Sequence, residues 1–126
     1  MDRASILLIE SNAELCSKWT SLLSKEGCFV VAAIEPTAAS TLLSRQKYSA
    51  IFLDARLPQS FIKQAIQYLK KESLSHGTRI FVTSTHTEVV EYQIMAQLPE
   101  AIFILKPLTD ADLQVLIRDL SISRAG

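Results

Sequence analysis

The sequence predicts an α/β fold, a parallel sheet with helices on both faces, in one domain spanning residues 1–126. Two observations carry this. Short apolar runs alternate five times with segments of helical periodicity. The runs are continuously apolar rather than alternating, as strands covered on both faces must be. A chain of 126 residues is long enough for one substantial core.

Ile6–Glu10 reads as the first strand. Ser11-Asn12-Ala13-Glu14 has the form of a capping box with Ser11 at the N-cap, because Glu stands three residues on. The first helix places Leu15, Trp19, Leu22 and Leu23 on one face, and Gly27 stops it. Phe29–Ile34 is the second strand. Pro36 suits the first turn of the second helix, whose apolar face carries Ala39, Leu42 and Leu43. Ala50–Leu53 is the third strand. The third helix carries Ile62, Ala65, Ile66 and Leu69 and ends near Ser73–Gly77. Ile80–Thr83 is the fourth strand. A fourth helix begins near Glu88, with Val90, Ile94 and Leu98, and Pro99 bounds it. Ala101–Leu105 is the fifth strand. The fifth helix starts at Thr109, with Asp112 as a weaker capping acid, and buries Leu113, Leu116, Ile117 and Leu120.

Right-handed crossovers limit such a chain to few topologies. The flavodoxin-like strand order 2-1-3-4-5 is the natural one. It opens a crevice between strands one and three at their carboxyl ends. Glu10 and Ser11 fall there with Asp54, which ends the run Ala50-Ile51-Phe52-Leu53. Ser84, thirty residues beyond Asp54, and Lys106, fifty-two beyond it, end strands four and five at the same edge. These polar residues, at the ends of four strands, outline a phosphate-handling pocket.

Composition narrows the partners. The chain has 13 basic and 13 acidic residues and zero formal net charge, so no overall basic field draws nucleic acid. No apolar run is long enough for a signal peptide or a membrane span, and a cytoplasmic location is expected. Cys16 and Cys28 fit no metal spacing and read as reduced, buried thiols. His76 and His86 read as loop histidines. No glycine-rich loop follows the first strand, which argues against a flavin or dinucleotide enzyme.

The chain resembles the receiver domain of two-component response regulators over essentially its whole length. The resemblance rests on Ile6-Leu7-Leu8-Ile9-Glu10, Phe52-Leu53-Asp54 with Leu57-Pro58, Thr83-Ser84 and Phe103-Ile104-Leu105-Lys106-Pro107. It implies a signalling module, not an enzyme, whose Asp54 accepts a phosphoryl group from a histidine kinase or phosphotransfer protein. It implies that Ser84 bonds the phosphoryl oxygens, with Thr83 a competing choice. Lys106 would pair with the phosphoryl charge, and Phe103 would rotate inward as the switch. It implies a Mg²⁺ site of Glu10, Asp54 and the backbone carbonyl of Arg56. A cis peptide is expected between Lys106 and Pro107. The helix four–strand five–helix five face would dock an effector or a second copy.

One departure weighs on the metal site. The family has two acids at the end of strand one; here the second is Ser11, the altered metal position. A usual receiver sets three carboxylates against one lysine. Here Glu10 and Asp54 face Lys106, with Arg56 at the rim. Unit charges about 4 Å apart interact by roughly 4 kcal/mol at an effective dielectric of about 20. Losing one acid therefore predicts weak or absent Mg²⁺ binding. Gln59–Ile62 lacks the family's loop glycine, and so does the segment before strand five. These losses leave a second reading, a phosphorylation-independent pseudo-receiver that acts as a protein-interaction module.

Overall fold

The computed structural model describes residues 4–70, 78–84, 97, 101–105, 109–112, 114–116 and 118. Five parallel strands form one sheet: β1 (Ser5–Ile9), β2 (Phe29–Ala33), β3 (Ala50–Asp54), β4 (Arg79–Ser84) and β5 (Ile102–Leu105). Their order is β2-β1-β3-β4-β5, as the apolar runs predicted. The strand limits move by a residue or two, within the usual uncertainty of strand ends. Of the expected fourth helix, near residues 88–98, Gln97 alone is among the described residues, and it is helical; the Lys106–Pro107 peptide lies outside them.

Alternation along the strands divides the core into two layers. Ile6 and Leu8 of β1, Ala50 and Phe52 of β3 and Phe81 of β4 face one way. Helix α1 (Ala13–Lys25) covers them with Cys16, Trp19 and Leu23, and Leu116 packs against the same layer. Leu7, Ile9, Ile51, Leu53, Ile80 and Val82 face the other way. There they meet Ala39 and Leu43 of α2 (Pro36–Arg45) and Phe61, Ile62, Ala65 and Ile66 of α3 (Gln59–Tyr68). Phe52 forms the centre of an aromatic cluster, stacked on Phe81 at 4.9 Å and edge-on to Trp19 at 6.3 Å.

The ends of the elements confirm most of the punctuation. Glu26 is the C-cap of α1 and Gly27 follows it at φ 87°. Gly27 N donates to Ser24 O at 3.0 Å and Cys28 N to Leu23 O at 3.1 Å, the two bonds of a Schellman motif. Thr109 and Asp112 cap each other: Thr109 N donates to Asp112 Oδ2 at 3.0 Å, and Asp112 N to Thr109 Oγ1 at 3.1 Å. Those bonds hold the Asp112 carboxyl below its ordinary value, the backbone donor contributing most.

The start of α1 corrects the sequence. Its N-cap is Asn12, not Ser11; the Asn12 side chain accepts from Leu15 N at 3.1 Å. Ser11 is drawn elsewhere.

Candidate functional site

The site lies at the carboxyl ends of β1, β3 and β4. Parallel pairing sets Ile9 beside Leu53 and Asp54 beside Thr83. Glu10 and Ser11 follow β1 directly, and Ser84 closes β4 one residue beyond the level of Asp54. The register thus unites Glu10, Ser11, Asp54 and Ser84 from three strands. Three of the four are buried polar groups, while Ser11 is exposed. Asp54 is fully buried, Glu10 is 1% exposed and Ser84 is 7% exposed.

A buried carboxylate must recover the hydrogen bonds that water gave it. Asp54 Oδ2 accepts from Ser11 N at 3.1 Å and from Ser11 Oγ at 2.5 Å. Its Oδ1 accepts from Arg56 N at 3.0 Å. Hydrogen bonds to charged groups contribute about 1.5–3 kcal/mol each. The turn after β3 is fixed at the same time: Leu57 N donates to Asp54 O at 3.2 Å, and Ala55 N to Thr83 O at 2.9 Å. Glu10 Oε2 accepts from Asn12 N at 2.9 Å, at the positive end of α1.

The remaining sequence candidates divide. Arg56 contributes its backbone to Asp54, while its side chain is exposed at the rim. Thr83 is 1% exposed, and its carbonyl is held by Ala55. Phe103 pairs with Val82 and packs, half-buried, against the core layer under α2 and α3. Lys106, His76 and His86 lie outside the described residues. Cys16 and Cys28 are buried free thiols, as expected.

A Mg²⁺ ion asks for several hard oxygen ligands in octahedral geometry. The donor set here does not fit a preformed site of that kind. Among the described residues no group of three metal-ligating side chains converges. Ser11, where a second acid would stand, directs its proton at Asp54 instead of offering a carboxylate to a cation. Sequence reasoning assigned Ser11 to the helix cap and missed this bond. The signal in the sequence was a proton donor standing where an acid is expected, at the strand end that faces Asp54.

A five-stranded doubly wound sheet with a buried aspartate at the end of its third strand defines a receiver-type signalling domain. The profile of the response regulator receiver domain matches residues 6–118, and the chain belongs to that family. It is a receiver domain of two-component signalling, a process in which such domains meet histidine kinases and phosphotransfer proteins. No curated protein matches the chain.

Solved structures agree on the fold. A CheY-like receiver domain protein from Methanospirillum hungatei JF-1 superposes with a TM-score of 0.81 at 16% identity, covering 99% of this chain and 100% of that one. The chemotaxis response regulator CheY4 of Vibrio cholerae gives 0.79 at 16% identity, covering 94% and 99%. The receiver domain of a sensor histidine kinase from Pseudomonas aeruginosa PAO1 gives 0.76 at 21% identity, covering 94% and 98%. That protein has a magnesium ion coordinated in its active-site cleft.

Proposed function

We propose that this receiver accepts a phosphoryl group on Asp54. The observation that carries the reading is the buried Asp54 carboxylate, oriented at the sheet edge by donors on Ser11 and Arg56. A carboxylate oxygen of Asp54 forms the new O–P bond as the P–N bond of a donor phosphohistidine breaks. The electron pair returns to the imidazole nitrogen, which takes a proton from water. Phosphoryl transfer depends mainly on positioning and charge stabilisation, so fixed donors around the acceptor matter. Ser84 and Lys106 would bind the phosphoryl oxygens. Glu10, Asp54 and the Arg56 carbonyl would hold a divalent cation weakly.

The domain would act as a cytoplasmic switch and not as an enzyme in its own right. No helix among the described residues is long and apolar enough to cross a membrane. Its docking face would be helix four–strand five–helix five. Support comes from Ile102 on the edge strand β5 and Val115 in the helical turn at residues 114–116, large apolar residues that are 38% and 54% exposed. Phe103 lies on the same strand as Ile102, where a change at the phosphorylation site could reach that face.

Incubation with a small phosphodonor and Mg²⁺, followed by intact mass measurement, tests the reading. One phosphoryl increment is expected on the wild type and none on Asp54→Asn. If neither the wild type nor Ser11→Asp gains the increment, the domain is a pseudo-receiver that signals by binding alone.

A further inference from the structure

The geometry points to Ser11 as an active competitor of the divalent cation for Asp54: a hydroxyl latch, and not merely a missing ligand. Its meaning for signalling rests on Asp54 being the phosphoacceptor, but the competition itself does not.

Replacing an acid by serine can weaken a cation site in two ways. The passive way removes one carboxylate and leaves Asp54 open. The active way also fills the lone pairs that a cation needs. A carboxylate oxygen has two such directions. Asp54 Oδ2 receives Ser11 Oγ at 2.5 Å and Ser11 N at 3.1 Å, which uses both. Arg56 N occupies a direction on Oδ1 at 3.0 Å. An acid at position 11 would repel Asp54 and leave Oδ2 open toward the cleft. The serine proton does the opposite: it takes the electrostatic place of the cation on that oxygen. In the resting domain Oδ2 of Asp54 is closed by its own chain, and a cation reaches that oxygen by breaking the Ser11 hydroxyl bond.

The two ways predict opposite outcomes for one variant. Ser11→Ala adds no ligand, so a passive defect leaves Mg²⁺ affinity unchanged. Release of the latch frees a lone pair of Oδ2 and strengthens binding at least threefold. Ser11→Thr keeps the hydroxyl and should behave like the wild type. Helix α1 keeps its own cap at Asn12 in all of these variants.

The experiment is Mg²⁺ titration of the unphosphorylated wild type, Ser11→Ala and Ser11→Thr by calorimetry, with circular dichroism to check folding. The expected order is Ser11→Ala tighter than wild type, with Ser11→Thr equal to wild type. Equal or weaker binding by Ser11→Ala overturns the latch. A second readout uses the wild type alone. Saturating Mg²⁺ should shift the Ser11 amide proton, whose bond to Oδ2 the cation disturbs; an unmoved resonance in a protein that binds Mg²⁺ also overturns it. Failure of Asp54 to take phosphate leaves both measurements intact, so the two readings can fail separately.

Discussion

Ser11 and Asp54, 43 residues apart in sequence, are joined twice: the amide and the hydroxyl of Ser11 both donate to Oδ2 of Asp54. A long-range bond therefore occupies the position where an acidic ligand is expected.

Ser11→Asp should strengthen Mg²⁺ binding at least tenfold over the wild type, about 1.4 kcal/mol. The change removes the latch and supplies a carboxylate together. Asp54→Asn in the same background should abolish the gain, because both acids must face one ion. Calorimetric titration of the three proteins checks it. A wild type that already binds tightly would contradict the assignment of Ser11 as a defect.

Asn12→Ala should lower stability by about 1 kcal/mol, the usual effect of losing an N-cap side chain. Leu15 N would then lose the Asn12 side-chain acceptor. Urea unfolding should show a lower midpoint with an unchanged slope. An unaltered midpoint would mean that Ser11 can take over the cap.

Gly27→Ala should cost about 1–2 kcal/mol, the left-handed penalty for an L-residue. A Cβ built there meets nothing within 4 Å, so the effect is conformational and not steric crowding by neighbours. Gly27→Asn should cost less, since Asn tolerates this region better. Thermal unfolding of both variants tests the ranking.

Alkaline pH should destabilise the fold. Burial pushes up the Cys16 and Cys28 thiols, aided by the negative charges of Glu10 and Glu26 respectively, and burial also raises the Tyr48 phenol. Each group holds its proton more tightly folded than unfolded. Their contribution is thus fully present below the unfolded values, roughly 8.5 for Cys and 10 for Tyr. It is lost as pH rises through the folded ones. Unfolding free energy measured from pH 8 upward should fall, and less steeply in a Cys16→Ala, Cys28→Ala double variant.

Phe103 should report activation. Its ring is half-buried on the strand next to Val82, and a switch role requires it to adopt both inward and outward rotamers. Beryllofluoride with Mg²⁺ should shift the NMR resonances around Phe103 in Ser11→Asp, where the cation is best held. Unchanged shifts in a protein that binds the mimic would remove Phe103 from the switch.

The local patterns of the chain fixed the sheet, the faces of α1 to α3 and the polar edge. Trp19 and Leu23 recur at helical spacing, and Asp54 ends a continuously apolar run; both signals lie within a few residues and need no partner to be read. The cap of helix five was legible for the same reason, since Thr109 and Asp112 satisfy each other. Ser11 was not. Ser11 and Asn12 are both competent caps, and local chemistry ranks the Ser-x-x-Glu box highly. Only the parallel pairing of β1 with β3, which sets Ile9 against Leu53, brings Ser11 to Asp54. A buried carboxylate then attracts the hydroxyl more strongly than a helix end does, and Asn12 takes the cap. The sequence determined which side chains stand at the sheet edge; the tertiary register decided which of them share a proton, because that bond spans a distance in the chain that no local rule reaches.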